Sequence, residues 1–194
     1  EYFRAFMSGR MSWQAVNGLL IISGAFGLFK RAAVLEVGGY KHDSVGEDME
    51  LIVRLHRFKR ERRQRYRIVF VPDPVCWTEA PDTVKVLSRQ RNRWHRGLLD
   101  TMLIHRTMFL NPRYGVIGMA AMPYFVFVEL VGPVIELFGY CTVVVLLIMG
   151  ALNFQLAMLF FIVALFYGVM FSVGAVLLEE LSFQRYPNPR DLAL

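Results

Sequence analysis

Cysteine is nearly absent: Cys76 and Cys141 are the two in 194 residues, one in each half of the chain. No disulfide framework and no metal-ligand spacing can be built from them, which leaves buried reduced thiols as their plain reading. Basic charge is missing from the second half. Of 22 Lys and Arg, only Arg185 and Arg190 lie beyond Arg113. The basic first half carries no nucleic-acid fold signature, which argues against a nucleic-acid partner. No Asp-x-Asp pair occurs anywhere. The chain opens at Glu1 without an initiator Met or a signal peptide, and Tyr2-Phe3-Arg4-Ala5-Phe6 reads as mid-domain. A piece of a longer protein is expected.

What is present divides into two unlike halves. The whole chain has a net charge of +6, and its excess of basic charge lies in the first part, beside an apolar second part. Basic surface flanking apolar spans fits the cytoplasmic side of a membrane protein. From Gly115 to Leu152 the only charges are Glu129 and Glu136, and Pro123 and Pro133 interrupt the run. Phe154 to Leu178 is an uncharged stretch of 25 residues, about 37 Å as a helix and long enough to span a bilayer with tilt. The expected arrangement is an interfacial helix over 115–130, broken near Gly132-Pro133, then spans over 134–152 and 154–178. Two crossings return the tail 179–194 to the basic side. Glu129 and Glu136 are functional candidates if they lie at membrane depth, or ordinary interfacial carboxylates if they reach water.

The first half predicts a soluble α/β region. Residues 1–16 carry aromatic and Met residues near helical spacing. Leu19-Leu20-Ile21-Ile22 reads as a buried strand entering Ser23-Gly24, where small residues permit either close approach to a ligand or a tight core turn. Lys30 to Val37 suggests a short helix stopped by Gly38-Gly39. Glu47 to Phe58 is an amphipathic helix whose first turn holds Glu47 and Asp48, a placement that the helix dipole favours by about 0.3–1 kcal/mol. Eight Arg or Lys lie from Arg54 to Arg67. That run is either a solvated face or a surface leaning on anionic headgroups. Ile68 to Val71 and Val75 to Thr78 predict two further strands. A helix then begins near Thr83 with Asp82 as N-cap. On it Gln90, Arg93, Trp94 and Gly97 share a face by their three- and four-residue spacing.

Gln90-Arg91-Asn92-Arg93-Trp94 combines an amide, forked cations and a flat aromatic face, the tools for gripping a diphosphate and stacking a sugar. Gly46-Glu47-Asp48 supplies paired carboxylates about 40 residues earlier. In this order, and ahead of apolar spans, the two motifs resemble those of the membrane-embedded family 2 glycosyltransferases, the group containing cellulose, chitin and hyaluronan synthases. Gln90 to Trp94 matches that family's Gln-x-x-Arg-Trp signature, and Gly46-Glu47-Asp48 resembles its Thr-Glu-Asp. Ser23-Gly24 sits where the family has a small-residue acceptor-side motif.

The resemblance implies the carboxy-terminal part of a GT-A-type α/β domain over 1–82 and an interfacial helix region over 83–113. A membrane region over 114–178 and a cytoplasmic tail follow. It implies inverting transfer from a nucleotide-diphosphate sugar to a saccharide or lipid-linked acceptor, with processivity left open. Asp48 would be the base, supported by Glu47. Gln90 and Arg93 would bind the donor diphosphate, and Trp94, Ser23 and Gly24 the acceptor. Two departures stand out. Gly46 replaces threonine, and the Asp-x-Asp metal motif is missing. The Mg²⁺ or Mn²⁺ expected in the intact enzyme would therefore be held by ligands outside this chain. Two other classes remain open at this point. One is a non-catalytic membrane module binding anionic lipid or a partner protein through its basic face. The other is a small transporter subunit, which would leave Gln90 to Trp94 unexplained.

Overall fold

The computed structural model describes residues 9–22, 24, 26–41, 44–71 and 81–183. The chain divides into two compact units, Trp13–Ile135 and a second made of Glu1–Ser12 with Glu136–Leu194. The helices in order are α1 (Gly9–Ala15), α2 (Arg31–Glu36), α3 (Glu47–Glu61) and α4 (Val84–Ile104). Then come the single turn α5 (Met122–Tyr124), α6 (Gly132–Ile148) and α7 (Phe154–Phe183).

Helix α2 ends where Gly38 and Gly39 take φ of +85° and +76°, backbone that only glycine adopts without cost. Helix α3 buries Leu51, Ile52 and Leu55 of the expected stripe but only part of Phe58, and its burial of 49–53 in succession encloses the helix there on every side. Helix α4 is capped by Thr83, whose side chain accepts a hydrogen bond from Val86 N at 3.3 Å. Thr83, not Asp82, is therefore the N-cap, because its hydroxyl reaches the third helical amide.

The core of the Trp13–Ile135 unit joins Leu20, Met49, Val53, Leu98, Met102, Met108, Tyr114, Ile117, Ala121, Met122 and Phe125. Four methionines there are unbranched and adaptable, suited to filling a junction between helices at unlike angles. Trp13 packs edge-on against Tyr124 with ring centroids 5.3 Å apart.

Residues 117–130 are helical, but two stretches, Ile117–Ala121 and Phe125–Leu130, wind as wide π turns. A proline cannot donate to the carbonyl four residues before it and clashes with that carbonyl. The carbonyls so affected belong to Met119, before Pro123, and Glu129, before Pro133. Each lies inside one of the π stretches, where the wider turn accommodates it.

The strands expected at 19–22 and 68–71 are not formed, and no strand occurs among the described residues. This corrects the α/β expectation for these segments. A strand needs a ladder partner, and here the anchors are side chains: Leu19 O lies against His56 Nε2, and the second segment is tied by amides. The backbone of 66–70 is held by side-chain amides. Asn17 Nδ2 donates to Tyr66 O at 3.4 Å, Ile68 N donates to Asn17 Oδ1 at 3.4 Å, and Phe70 N donates to Gln14 Oε1. The strand expected at 75–78 lies outside the described residues.

In the second unit α6 and α7 expose their apolar side chains on all sides; Ile148 is 80% exposed and Phe160 66%. Ile117–Ile148 and Phe154–Gly174 are each long and apolar enough to cross a membrane.

Candidate functional site

Helix α3 opens at Gly46, and its first turn holds Glu47, Asp48 and Glu50. Glu47 is exposed and Asp48 half-buried. Asp48 Oδ1 accepts from Met49 N at 2.8 Å. Its other oxygen, Oδ2, lies against Gly24, where a Cβ would approach it to 2.9 Å. Gly24 therefore has to stay bare for the Asp48 carboxylate to hold this place. Ser23 lies outside the described residues.

The second half of the site is α4. A Cβ built on Gly46 would stand 2.9 Å from Gly97 Cα, and one on Gly97 would stand 2.9 Å from Gly46 Cα. The start of α3 thus rests on α4 backbone to backbone. Alanine is favoured over glycine in a helix interior by about 1 kcal/mol, so Gly97 runs against local preference in favour of this approach. The same contact accounts for Gly46, the glycine that departs from the threonine of the resembling family: any Cβ there meets Gly97.

At 100° per residue, Gln90, Arg93 and Trp94 lie within about 60° of the direction in which Gly97 faces α3. Gln90 is half-buried, while Arg93 and Trp94 are exposed, Trp94 to 42%. The guanidinium of Arg91 lies 5.4 Å from the centre of the Trp94 ring, a cation–π distance. The structure thus sets Asp48 against Gly24 and the start of α3 against α4 at Gly97, and helical geometry turns the Gln90–Arg93–Trp94 face toward the α3 side of α4.

Beneath this junction is a buried charge cluster that the sequence reading missed. Glu50 is fully buried. Its Oε2 accepts from Arg54 at 2.9 Å, and its Oε1 meets His105 Nε2 at 3.2 Å and Lys41 Nζ at 3.7 Å. Arg54 also donates to Gly39 O at 2.6 Å and to Val37 O. Burial alone would raise the Glu50 carboxyl, but bonding from His105 and the charge and bonding of Arg54 outweigh it, so the group sits below its ordinary range. The cluster ties α3 to the end of α4 and to the turn after α2. Its one sequence signal was the i,i+4 spacing of Glu50 and Arg54, which equally describes a surface pair.

His56 anchors the segment that leads to Gly24. Its Nε2 lies 2.8 Å from Leu19 O and its Nδ1 2.7 Å from the Tyr66 hydroxyl. Leu19 O can only accept, so Nε2 carries the hydrogen and Nδ1 accepts from Tyr66. Burial pushes the imidazole down to about 4, so it is neutral at physiological pH.

Among the described residues no three His, Cys, Asp or Glu side chains converge as a cation site. Asp48 Oδ1 is bonded to Met49 N, and Glu47 is its neighbour, but among the described residues no third ligand joins the two. These residues do not make a metal seat by themselves.

Comparisons with known proteins point the same way. The sequence pattern of the glycosyl transferase family group 2 matches residues 2–176. The chain is similar to poly-beta-1,6-N-acetyl-D-glucosamine synthase of Staphylococcus aureus strain COL, with 38% identity over 82 residues, 42% of this chain and 18% of that protein. It is also similar to the synthase of the same name from Staphylococcus epidermidis strain ATCC 35984, with 37% identity over 94 residues, 48% of this chain and 21% of that protein. The chain thus spans about a fifth of the length of these curated relatives. No solved structure matches.

Proposed function

The chain belongs to the glycosyl transferase family group 2, and from that premise we propose that it forms the base, leaving-group and acceptor side of a polysaccharide-synthesising site at a membrane surface. The donor is a nucleotide-diphosphate sugar and the acceptor a saccharide or lipid-linked saccharide. The names of the relatives, which specify a poly-beta-1,6-N-acetyl-D-glucosamine product, make an N-acetylglucosamine donor the first to test.

The observation that carries this reading is the Gly46–Gly97 contact, with Gly24 against Asp48. It supports a site in which a carboxylate at the start of α3 works with the amide–guanidinium–indole face of α4. Each then has a chemical task. An acceptor hydroxyl attacks the anomeric carbon as its proton passes to the Asp48 carboxylate. The bond from that carbon to the diphosphate oxygen breaks on the opposite face, and its electron pair leaves on the diphosphate. Attack opposite the leaving group inverts the anomeric centre, which takes an α-linked donor to a β-linked product. A positioned base of this kind contributes about 10²–10⁴-fold. Arg93 meets the negative charge gathering on the leaving diphosphate, and Gln90 adds amide hydrogen bonds to it. Trp94 offers its ring to the C–H face of the acceptor sugar, with Gly24 and Ser23 on the acceptor side. Glu47 supports the position of Asp48. The metal expected in the intact enzyme would draw its ligands from outside this chain, and none of these steps passes through it.

The membrane part of the proposal rests on the two apolar helical stretches and on the basic residues, 20 of the 22 Lys and Arg lying at or before Arg113 and the other two, Arg185 and Arg190, in the tail that two crossings return to the same side. It places the catalytic face on the cytoplasmic side. Residues 117–130 lie along the interface, with Ile117, Ala121 and Phe125 in the core and Met119, Phe127 and Val128 exposed.

The test is Asp48→Asn in the full-length membrane protein, assayed by nucleotide release with acceptor present. The expected result is a loss of about 10²–10⁴-fold in transfer, with donor binding kept within a few-fold. Transfer near the wild-type rate would remove Asp48 as the base.

A further inference from the structure

Gly46 and Gly97 meet at the fulcrum between the two halves of the site. The contact is backbone on backbone. A Cβ at Gly46 would lie 2.9, 3.2 and 3.3 Å from Gly97 Cα, C and O, and one at Gly97 would lie 3.0 Å from Gly46 N. No side chain stands between them that could rotate aside. Neither glycine is there for its backbone angles. Gly46 has φ −117°, open to any residue, and Gly97 lies inside a regular helix. What both positions require is the absence of a side chain.

The position of the contact decides what a wedge there would do. Gly46 precedes Asp48 by two residues, and Gly97 follows Trp94 by three and Arg93 by four. Beyond Gly97, α4 is held by the bond from His105 to Glu50 at 3.2 Å and by Leu98 and Met102 in the core. In the other direction, toward Val84, the helix is exposed. A methyl group inserted at the contact therefore shifts the exposed front of α4 relative to the start of α3, because the rear is pinned. Arg93 and Trp94 ride on that front.

We propose that Gly46 and Gly97 are positioning residues: their bare contact sets the separation between the Asp48 carboxylate and the Gln90–Arg93–Trp94 face. The inference rests on the reading of those groups as transfer machinery. It adds a geometric control that neither motif contains, since Gly97 lies outside Gln90 to Trp94 and Gly46 has no functional group.

The experiment uses the full-length protein in nanodiscs with Gly46→Ala, Gly97→Ala and the double variant. It measures kcat and donor KM by nucleotide release from the N-acetylglucosamine donor, and the thermal midpoint of each protein. Each single change is expected to lower kcat by about 10- to 100-fold, because an error of roughly 1 Å in a reacting constellation has that effect. Donor KM rises by less than kcat falls: Gln90 and Arg93 shift with the front of α4, but the alignment of Asp48 with the reacting centre is needed only in the transition state. The double variant falls no more than about threefold below the weaker single, because the first methyl has already opened the contact.

Unchanged kcat in both singles, or losses that multiply in the double, would overturn the proposal. So would a kcat loss that disappears once activity is expressed per folded molecule. If wild-type protein releases no nucleotide from any donor, the transferase reading fails instead. The thermal midpoints then still judge the contact: shifts that do not add support it, and additive shifts refute it.

Discussion

The two halves of α4 live under different conditions. From Val84 to Arg96 the side chains are exposed, with Gln90 alone half-buried. From Gly97 to Met102 the helix is embedded: Gly97, Leu98, Thr101 and Met102 are buried, and His105 just beyond is bonded to Glu50. The rear half satisfies the fold and the front half does not. Charged and aromatic groups held on an exposed, capped, rigid stretch are what a helix offers to a ligand. The contrast teaches a division of labour, in which anchoring residues lie on one side of Gly97 and chemical residues on the other. Mutations should therefore separate stability from activity according to which side they strike.

The largest effect should come from the anchored side. Glu50→Ala leaves Arg54 and His105 without their shared carboxylate, and removing one partner of a buried pair costs about 3 kcal/mol or more. A fall in thermal midpoint with normal activity per folded molecule would sharpen the comparison. An unaltered midpoint would break it.

Acid should attack the same side. An unfolded histidine takes up a proton near its ordinary value of 6.5, whereas folded His56 resists until about 4. The unfolded state thus binds more protons across that interval. Stability that is whole above pH 6.5 is lost as pH falls toward 4, on the order of 3 kcal/mol in all. Glu50, held below its ordinary value of 4.5, contributes stability above that pH and loses it as pH falls further. Thermal midpoints taken across pH 7 to 4 should fall steeply in wild type and more gently in His56→Gln. Equal slopes would show that His56 is not the acid-sensitive anchor.

The smallest effect on stability should come from the front. Trp94→Ala is expected to lower kcat/KM for the acceptor about tenfold, on the order of 1.4 kcal/mol. The thermal midpoint should barely move, since exposed substitutions fall within about 0.5 kcal/mol. Titrating acceptor at saturating donor measures the first quantity. A stability loss larger than that of Glu50→Ala would erase the distinction between the halves.

Local pattern was enough for some of this and not for the rest. Helix α3, the glycine stop after α2 and two long apolar helices follow from residues near one another in sequence and are formed, with α6 ending at Ile148 where 152 was expected and α7 running to Phe183 where 178 was expected. Order and resemblance set the two motifs in one site, and the approach of α3 to α4 at Gly46 and Gly97 is in keeping with that. The strands expected at 19–22 and 68–71 do not form, because a ladder is a property of two segments and neither carries a mark of its partner. Glu50 shows the opposite limit. A glutamate four before an arginine looks the same at a surface as in a core, and only the approach of His105 from α4 and Lys41 from the turn after α2 decides between them. Gly97 appeared as one more residue on a shared face, because the force of a missing Cβ becomes visible only when the opposing backbone is in place.

The segment from Tyr66 to Phe70 is tied at alternate residues to Asn17 and Gln14. A ladder between two backbones is indifferent to identity: any residue but proline supplies the same donor and acceptor, and a slip of two positions restores the pattern. Here one side of each tie is a particular amide. The alignment of two distant stretches is consequently spelled out in two letters of the sequence, and it tolerates substitution very unevenly. Residues 66, 68 and 70 contribute only backbone to these ties and are free to vary as far as they are concerned. Asn17 cannot become aspartate without turning its donor toward Tyr66 O into a second acceptor. An address of this kind cannot slip; it can only be lost.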